Sequence, residues 1–239
     1  MRYFKYTILL IFFFFGTGCK SSQLTNSLSN DKNWNISYRV NCYLPSLDSA
    51  QTISENGNNF LRLTLNRFDR GNCPSDRKKM GKYFFRERAE FRSDRVLKGK
   101  NEISFKIRFV EGFVGLNEHF SQIHSQYNGC GKEALQFSFD YGRLVVISKL
   151  GGRYYPNLNN QEIRINDIIG KWQRFKIILD DDNKKFSLFM NDKLILKDGV
   201  FDYLSCGVPT FRFGVYRDHS FSAKTSNVDF DEIQIKNIQ

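Results

Sequence analysis

Apolar and polar residues alternate through most of this chain, which is the period of strands with one buried face. Runs of that kind predict strands near Ile36 to Cys42, Phe60 to Asn66, Phe84 to Ser93, Glu102 to Phe109, Phe120 to Gln126, Ala134 to Tyr141 and Leu144 to Lys149. Further strands are predicted near Glu162 to Ile165, Trp172 to Asp180, Lys185 to Asn191, Lys193 to Lys197, Thr210 to Arg217 and Val228 to Lys236. Turn residues separate them: Tyr141-Gly142, Asp180-Asp181-Asp182-Asn183 and Asn191-Asp192. Only Asn166-Asp167-Ile168-Ile169 reads as a helical turn, ended by Gly170. In the last strand the apolar register moves from Val228 and Phe230 to Ile233 and Ile235, so a bulge is expected between Phe230 and Ile233. Many strands with almost no helix predict an antiparallel sandwich.

Three of these segments carry chemistry. In Arg88-Ala89-Glu90-Phe91-Arg92, Gln122-Ile123-His124 and Phe211-Arg212-Phe213-Gly214-Val215-Tyr216, alternate residues are apolar. Because successive strand side chains point to opposite faces, Ala89, Phe91, Ile123, Phe211, Phe213 and Val215 can enter a core. Arg88, Glu90, Arg92, Gln122, His124, Arg212 and Tyr216 then share the other face. That face offers cations and an amide suited to a carboxylate, with an imidazole and a phenol that can move protons.

These segments resemble the three signature motifs of the jelly-roll polysaccharide lyases, the group of alginate lyases, glucuronan lyases and heparin-lyase-like enzymes. The alginate-lyase forms are written R-[ST]-E-L-R, Q-[IV]-H and Y-F-K-x-G-x-Y. They occur here in the same order, with departures at Ala89, Phe91, Thr210 and Arg212. The resemblance extends more loosely from about Asn59 to the end of the chain. Arg217, after the tyrosine, looks more like the heparin-lyase-like branch, which leaves the uronate open. The resemblance implies a concanavalin-like β-jelly-roll of two antiparallel sheets with a concave substrate groove.

It also implies β-elimination on an acidic polysaccharide, alginate- or glucuronan-like or heparin-like, leaving an unsaturated uronate end. The base must take a proton beside an ionised carboxylate, so that carboxylate has to be neutralised. Arg88 and Gln122 suit this task, since a guanidinium fork and an amide both donate to an enolate-like state. His124 is a candidate base, and Tyr216 a candidate acid, or both base and acid if the two groups leave from one face. Arg92 and Arg212 are expected to bind neighbouring uronates or support these groups, and Glu90 to hold the arginines. Two readings of other classes stand beside this one. On the same fold the arginines can bind anionic glycan with no proton moved. A sandwich glycoside hydrolase would need two carboxylates flanking the bond, and the motif strands offer only Glu90 and Asp218 outward.

Length and composition agree with one exported domain. The 239 residues suit a single all-β unit, and 24 phenylalanines can fill two inner sheet faces. Arg2 and Lys5 precede an apolar run from Thr7 to Phe15, then Gly16-Thr17-Gly18 and Cys19. Residues 1–18 read as a signal peptide, the run being shorter than the about 20 residues that span a bilayer. The small residues before Cys19 resemble a bacterial lipobox, which implies a lipid anchor on Cys19 and a tether over residues 19–33. The alternative is plain secretion with cleavage near Gly18. The expected location is the bacterial cell envelope or the exterior, with residues 34–239 forming the lyase domain as a monomer.

Loss of Arg2 and Lys5 takes the net charge from +11 to +9, an excess that suits a polyanion. No nucleic-acid-binding signature is present, so an anionic glycan is the expected partner. Cys42, Cys73, Cys130 and Cys206 are an even number in an oxidising compartment; of three pairings, Cys42 with Cys73 and Cys130 with Cys206 are favoured. No metal site or cofactor is expected, since the spacings lack a CxxC unit. His119 and His124 are an odd number apart, so in one continuous strand they face opposite ways. His119 and His219 read as loop residues, and the basic segment Phe68 to Lys82 as a long loop able to wall the groove.

Overall fold

The computed structural model describes residues 35, 37–41, 44–69, 76, 86–126, 132–202, 208–218 and 225–238. The expected leader and tether, all five cysteines, His219 and most of the loop from Phe68 to Lys82 lie outside them.

In chain order the strands are β1 (Tyr38–Val40), β2 (Ala50–Glu55), β3 (Asn58–Leu65), β4 (Arg86–Val96), β5 (Lys100–Phe109), β6 (Glu118–Gln126), β7 (Lys132–Asp140) and β8 (Arg143–Ser148). They continue as β9 (Gly152–Tyr154), β10 (Asn157–Leu158), β11 (Gln161–Glu162), β12 (Trp172–Asp180), β13 (Lys185–Met190), β14 (Lys193–Val200), β15 (Val208–Asp218) and β16 (Ser226–Asn237). Among the described residues one short α-helix, α1 (Ile165–Ile168), precedes β12, and a single 3-10 turn, Leu47–Ser49, precedes β2. Two seven-stranded sheets result, ordered β1-β4-β15-β6-β7-β8-β9 and β14-β13-β12-β5-β16-β3-β2, with β10 and β11 as a small separate ribbon. The pairings are antiparallel throughout, so the chain is the expected jelly-roll sandwich.

Phenylalanines join the two layers. Phe105 of β5 meets Phe211 of β15 at 5.5 Å between ring centroids, Phe213 of β15 meets Phe230 of β16 at 5.2 Å, and Phe120 of β6 meets Phe175 of β12 at 5.6 Å. Each such pair is worth about 0.5–1.5 kcal/mol beyond the area it buries. Because Phe91, Phe211 and Phe213 are drawn inward, the residues between them are pressed to the outer face of the first sheet.

The bulge expected in the last strand is present. The β16 register slips between Asp231 and Gln234, with Glu232 at φ 48°. The Tyr141-Gly142 and Asn191-Asp192 turns have positive φ at both residues, the backbone that matches hairpin twist. Two expectations change. Glu162 to Ile165 is not a strand of its own: β11 stops at Glu162 and Ile165 opens α1. An edge strand, β2, was not expected, because Gln51 to Glu55 is mostly polar and exposed; the Asn56-Gly57 turn, with φ 52° and 78°, folds it onto β3.

Candidate active site

The three motif segments become three adjacent strands, β4, β15 and β6, in the middle of the first sheet. Register aligns their outward residues in rows across the strands. Arg88 faces Tyr216 and Arg92 faces Arg212 between β4 and β15, while Arg212 faces Gln122 between β15 and β6. Gly214 makes this close approach possible: with φ 145°, a Cβ there would lie 2.2 Å from the Ala89 carbonyl oxygen and 2.7 Å from Glu90 Cα. The glycine of the third motif therefore answers to backbone contact between β15 and β4.

Arg88 is the most tightly held member. Its Nε and Nη2 donate to the two oxygens of Asp76 at 3.1 and 3.0 Å, and its Nη1 donates to Glu90 Oε2 at 2.6 Å. Burial works against its charge, but Glu90 and Asp76 outweigh burial and hold the guanidinium above its ordinary pKa. Asn41, from just after β1, also donates to Glu90 Oε2. Glu90 thus forms an ion pair with Arg88. Its oxygen is also 3.9 Å from Arg212 Nη1.

Tyr216 lies against Arg88, whose Cζ is 4.2 Å from the ring centroid, with Arg86 at 5.7 Å. On the opposite neighbouring strand the His119 imidazole stacks on the same ring, centroids 5.3 Å apart and planes inclined by 27°. His119 was expected in a loop and opposite in parity to His124. It lies instead in β6, directly across from Tyr216, because the register slips on both sides of β6 near Phe120. Phe120 and Ile123 both enter the core three residues apart, which strict alternation forbids; that spacing is the sequence signal for the bulge. Burial pushes the pKa of His119 down to about 4, so the ring is neutral at pH 7. Its Nδ1 has no hydrogen-bond partner among the described residues, and neither has Gln122 Nε2.

His124 is not beside Tyr216. Its register partner is Thr210, six residues along β15, roughly 20 Å of strand. Arg212 Nη2 lies 2.9 Å from His124 Nδ1, and that same nitrogen is 2.7 Å from the Ser125 carbonyl oxygen. One ring nitrogen cannot donate to a carbonyl and accept from a guanidinium at once. The carbonyl is fixed in the β6 backbone whereas Arg212 can rotate, so the Nδ1 proton belongs on the carbonyl side and Nε2 keeps the lone pair. Burial, and then the positive charge of Arg212, lower the pKa of His124 below its ordinary 6.5.

Arg212 itself is only 5% exposed. Burial pushes it down to about 10, still a cation at pH 7. Arg92 is half-buried, and burial and then Arg39 lower it. Across five strands the register reads Arg39, Arg92, Arg212, Gln122, Gln136: a row of three guanidinium groups and two amides at strand spacing. A continuous chain of contacts, His124 to Arg212 to Glu90 to Arg88 to Tyr216 to His119, runs obliquely over this face. Asp76, Asn41 and His119 are the members that sequence reading missed. Arg217, with its register partners Glu87 and Glu118, points the other way, into the sandwich. The side chain of Asp218 lies outside the described residues. Among the described residues, no cluster of three or more His, Cys, Asp or Glu side chains has metal-binding geometry.

No protein-family model and no curated protein matches this sequence. Solved structures do match. A family 7 alginate lyase, A1-II′, in a form with a histidine and a tyrosine replaced and in complex with substrate (GGMG), superposes with a TM-score of 0.56 at 13% identity, over 81% of this chain and 84% of that one. Alginate lyase AlgAT5 from polysaccharide lyase family 7 gives 0.55 at 12% identity, over 81% and 84%. The fold is that of the jelly-roll polysaccharide lyases. A further structure of A1-II′ gives 0.54 at 15% identity, over 81% of this chain and 86% of that one. At such identities the shared jelly-roll is a statement about architecture, and chemistry has to be argued from the residues.

Proposed function

We propose that this protein is a polysaccharide lyase that cleaves an acidic uronate polymer, alginate- or glucuronan-like by preference, by β-elimination. The C5 proton is removed, the C4–O bond breaks, a C4–C5 double bond forms, and the departing oxygen takes a proton. Neither water nor cofactor enters this balance.

The observation that carries the reading is the setting of Tyr216. Its ring lies between the Arg88 guanidinium and the neutral His119 imidazole, on a face lined with cations. In the proposal the Arg88 charge beside Tyr216 stabilises the negative charge that grows on the uronate carboxylate, and Gln122, whose Nε2 has no partner among the described residues, donates a hydrogen bond to the sugar from the Arg212 row. Tyr216 removes the C5 proton and returns one to the leaving oxygen, the option open when both groups leave from one face. His124, with Nε2 as acceptor, and Arg212 and Arg92 meet the neighbouring sugar, in line with the row of guanidinium groups and amides. Hydrolysis fits less well. It needs two carboxyl groups flanking the bond, whereas Glu90 and Asp76 are buried and committed to Arg88. The alginate lyases that share the fold add support for a uronate polymer.

The proposal extends to the leader: export, a lipid on Cys19, and disulfides Cys42–Cys73 and Cys130–Cys206, all decided by mass spectrometry of the native protein. The catalytic reading is tested by incubating the purified protein with alginate, glucuronan and heparin while following the absorbance of the unsaturated product. One of these polymers is expected to yield that chromophore. Binding without it would make the protein a glycan-binding module.

A further inference from the structure

One residue away from the reactive row, on the opposite side of the same three strands, lies a second row. Glu87 of β4, Arg217 of β15 and Glu118 of β6 are register partners, just as Arg88, Tyr216 and His119 are. All three side chains are fully buried between the sheets. Arg217 Nε donates to Glu87 Oε2 at 2.6 Å, and its Nη1 donates to Glu118 Oε1 at 2.9 Å and to Ser226 Oγ of β16 at 2.7 Å. Ser226 donates in turn to Glu118. The remaining carboxyl oxygens accept backbone N–H groups, Glu87 from Phe68 at 2.7 Å and Glu118 from Gly115 at 2.8 Å.

Burying one guanidinium and two carboxyl groups where phenylalanine would fit is a poor way to gain stability, because desolvation consumes most of the attraction. What such a cluster supplies is a unique register: sliding β15 against β4 or β6 leaves a buried charge unmatched. Each of the three charged members is also the backbone neighbour of one residue of the reactive row: Glu87 of Arg88, Arg217 of Tyr216 and Glu118 of His119.

We infer that Glu87, Arg217, Glu118 and Ser226 form a positioning device that fixes the Arg88, Tyr216 and His119 side chains relative to one another across three strands. None of the four touches substrate. The inference rests on the lyase reading for its catalytic consequence, though not for its geometric one.

Two readouts separate these. Ring protons of His119, one of three histidines in the chain, feel the ring current of Tyr216 and report the stack by NMR with no substrate present. Glu118→Gln and the milder Ser226→Ala are expected to move those resonances toward unstacked positions. On a confirmed polymer they should lower kcat roughly tenfold to a hundredfold with KM nearly unchanged, the scale of loss from small misplacement of reacting groups. Leu63→Ala, in the core of the other sheet, serves as the control for general loosening; it should lower the melting temperature at least as much and move neither readout. Unmoved His119 resonances in both cluster variants, or an equal loss of kcat in Leu63→Ala, would overturn the inference. Should the wild-type protein yield no unsaturated product at all, the lyase reading fails, and the NMR comparison still decides whether the cluster sets the stack.

Discussion

The imidazole of His119 stacks on the ring of Tyr216, 5.3 Å between centroids and inclined by 27°, although the two residues come from strands whose alternation alone would not bring them together. With Arg88 on the other side of the tyrosine, this contact marks one end of the candidate site, and His124 with Arg212 marks the other. The two histidines are therefore expected to behave differently.

Tyr216→Phe removes a hydroxyl and keeps the packing of the ring. Folding and substrate binding are expected to persist while turnover falls about a hundredfold or more, the usual scale for a general acid or base. Under the proposed roles, His119→Gln should lower kcat with little change in KM, and His124→Gln should act first on KM. Steady-state kinetics on a confirmed polymer check both; the reverse pattern would move proton transfer to His124.

Burial, and then the charge of Arg212, depress the pKa of His124. Arg212→Ala removes that cation, so His124 should titrate at higher pH than in the wild type. The acid limb of KM against pH, or the His124 ring resonances, should shift upward, and binding of the polymer should weaken. An unchanged titration would show that the guanidinium does not act on this imidazole.

Gly214→Ala places a methyl group within 2.2 Å of the Ala89 carbonyl oxygen, on backbone that cannot yield without separating β15 from β4. Crowding of this kind typically costs about 1–3 kcal/mol. Denaturant titration should show that loss, and turnover should fall with it because Arg88 and Tyr216 move apart. A variant of normal stability and turnover would mean the strands are less closely joined than described.

Stability should also depend on pH through the histidines. His119 titrates at about 4 in the folded chain and near 6.5 when unfolded, so between these values the unfolded state binds more protons. Stability is complete above pH 6.5 and falls as the pH drops toward 4, by at most about 1.4 kcal/mol per pH unit for this residue. His119→Phe keeps a ring against Tyr216 and removes the titration. Urea titrations at several pH values should give a shallower acid slope for that variant than for the wild type.

Much of this site was legible in the sequence because strands sort side chains with a period of two. The alternation around Ala89 and Phe91, and around Phe211, Phe213 and Val215, placed Arg88, Glu90, Arg212 and Tyr216 on one face without any coordinates. The same logic misplaced His119, since the bulge at Phe120 changes parity and only the Phe120 to Ile123 spacing hints at it. Asp76 escaped notice because it belongs to no alternating run and stands 12 residues before Arg88, which it meets only in the fold. Arg217 occupies an inward position that alternation reserves for apolar residues; that misfit is the trace a buried ion cluster leaves in a sequence.

Elimination and hydrolysis differ by one molecule of water, which makes the fate of solvent oxygen the most direct test of the central proposal. The polymer that yields product is digested in ¹⁸O-enriched water and the fragments are weighed by mass spectrometry. β-Elimination predicts that the two fragments of each cut together weigh no more than the parent, one of them unsaturated, with no ¹⁸O beyond what the reducing end of an uncut oligomer exchanges in the same time. Fragments that together gain a whole molecule of labelled water would contradict the account and assign the site to hydrolysis.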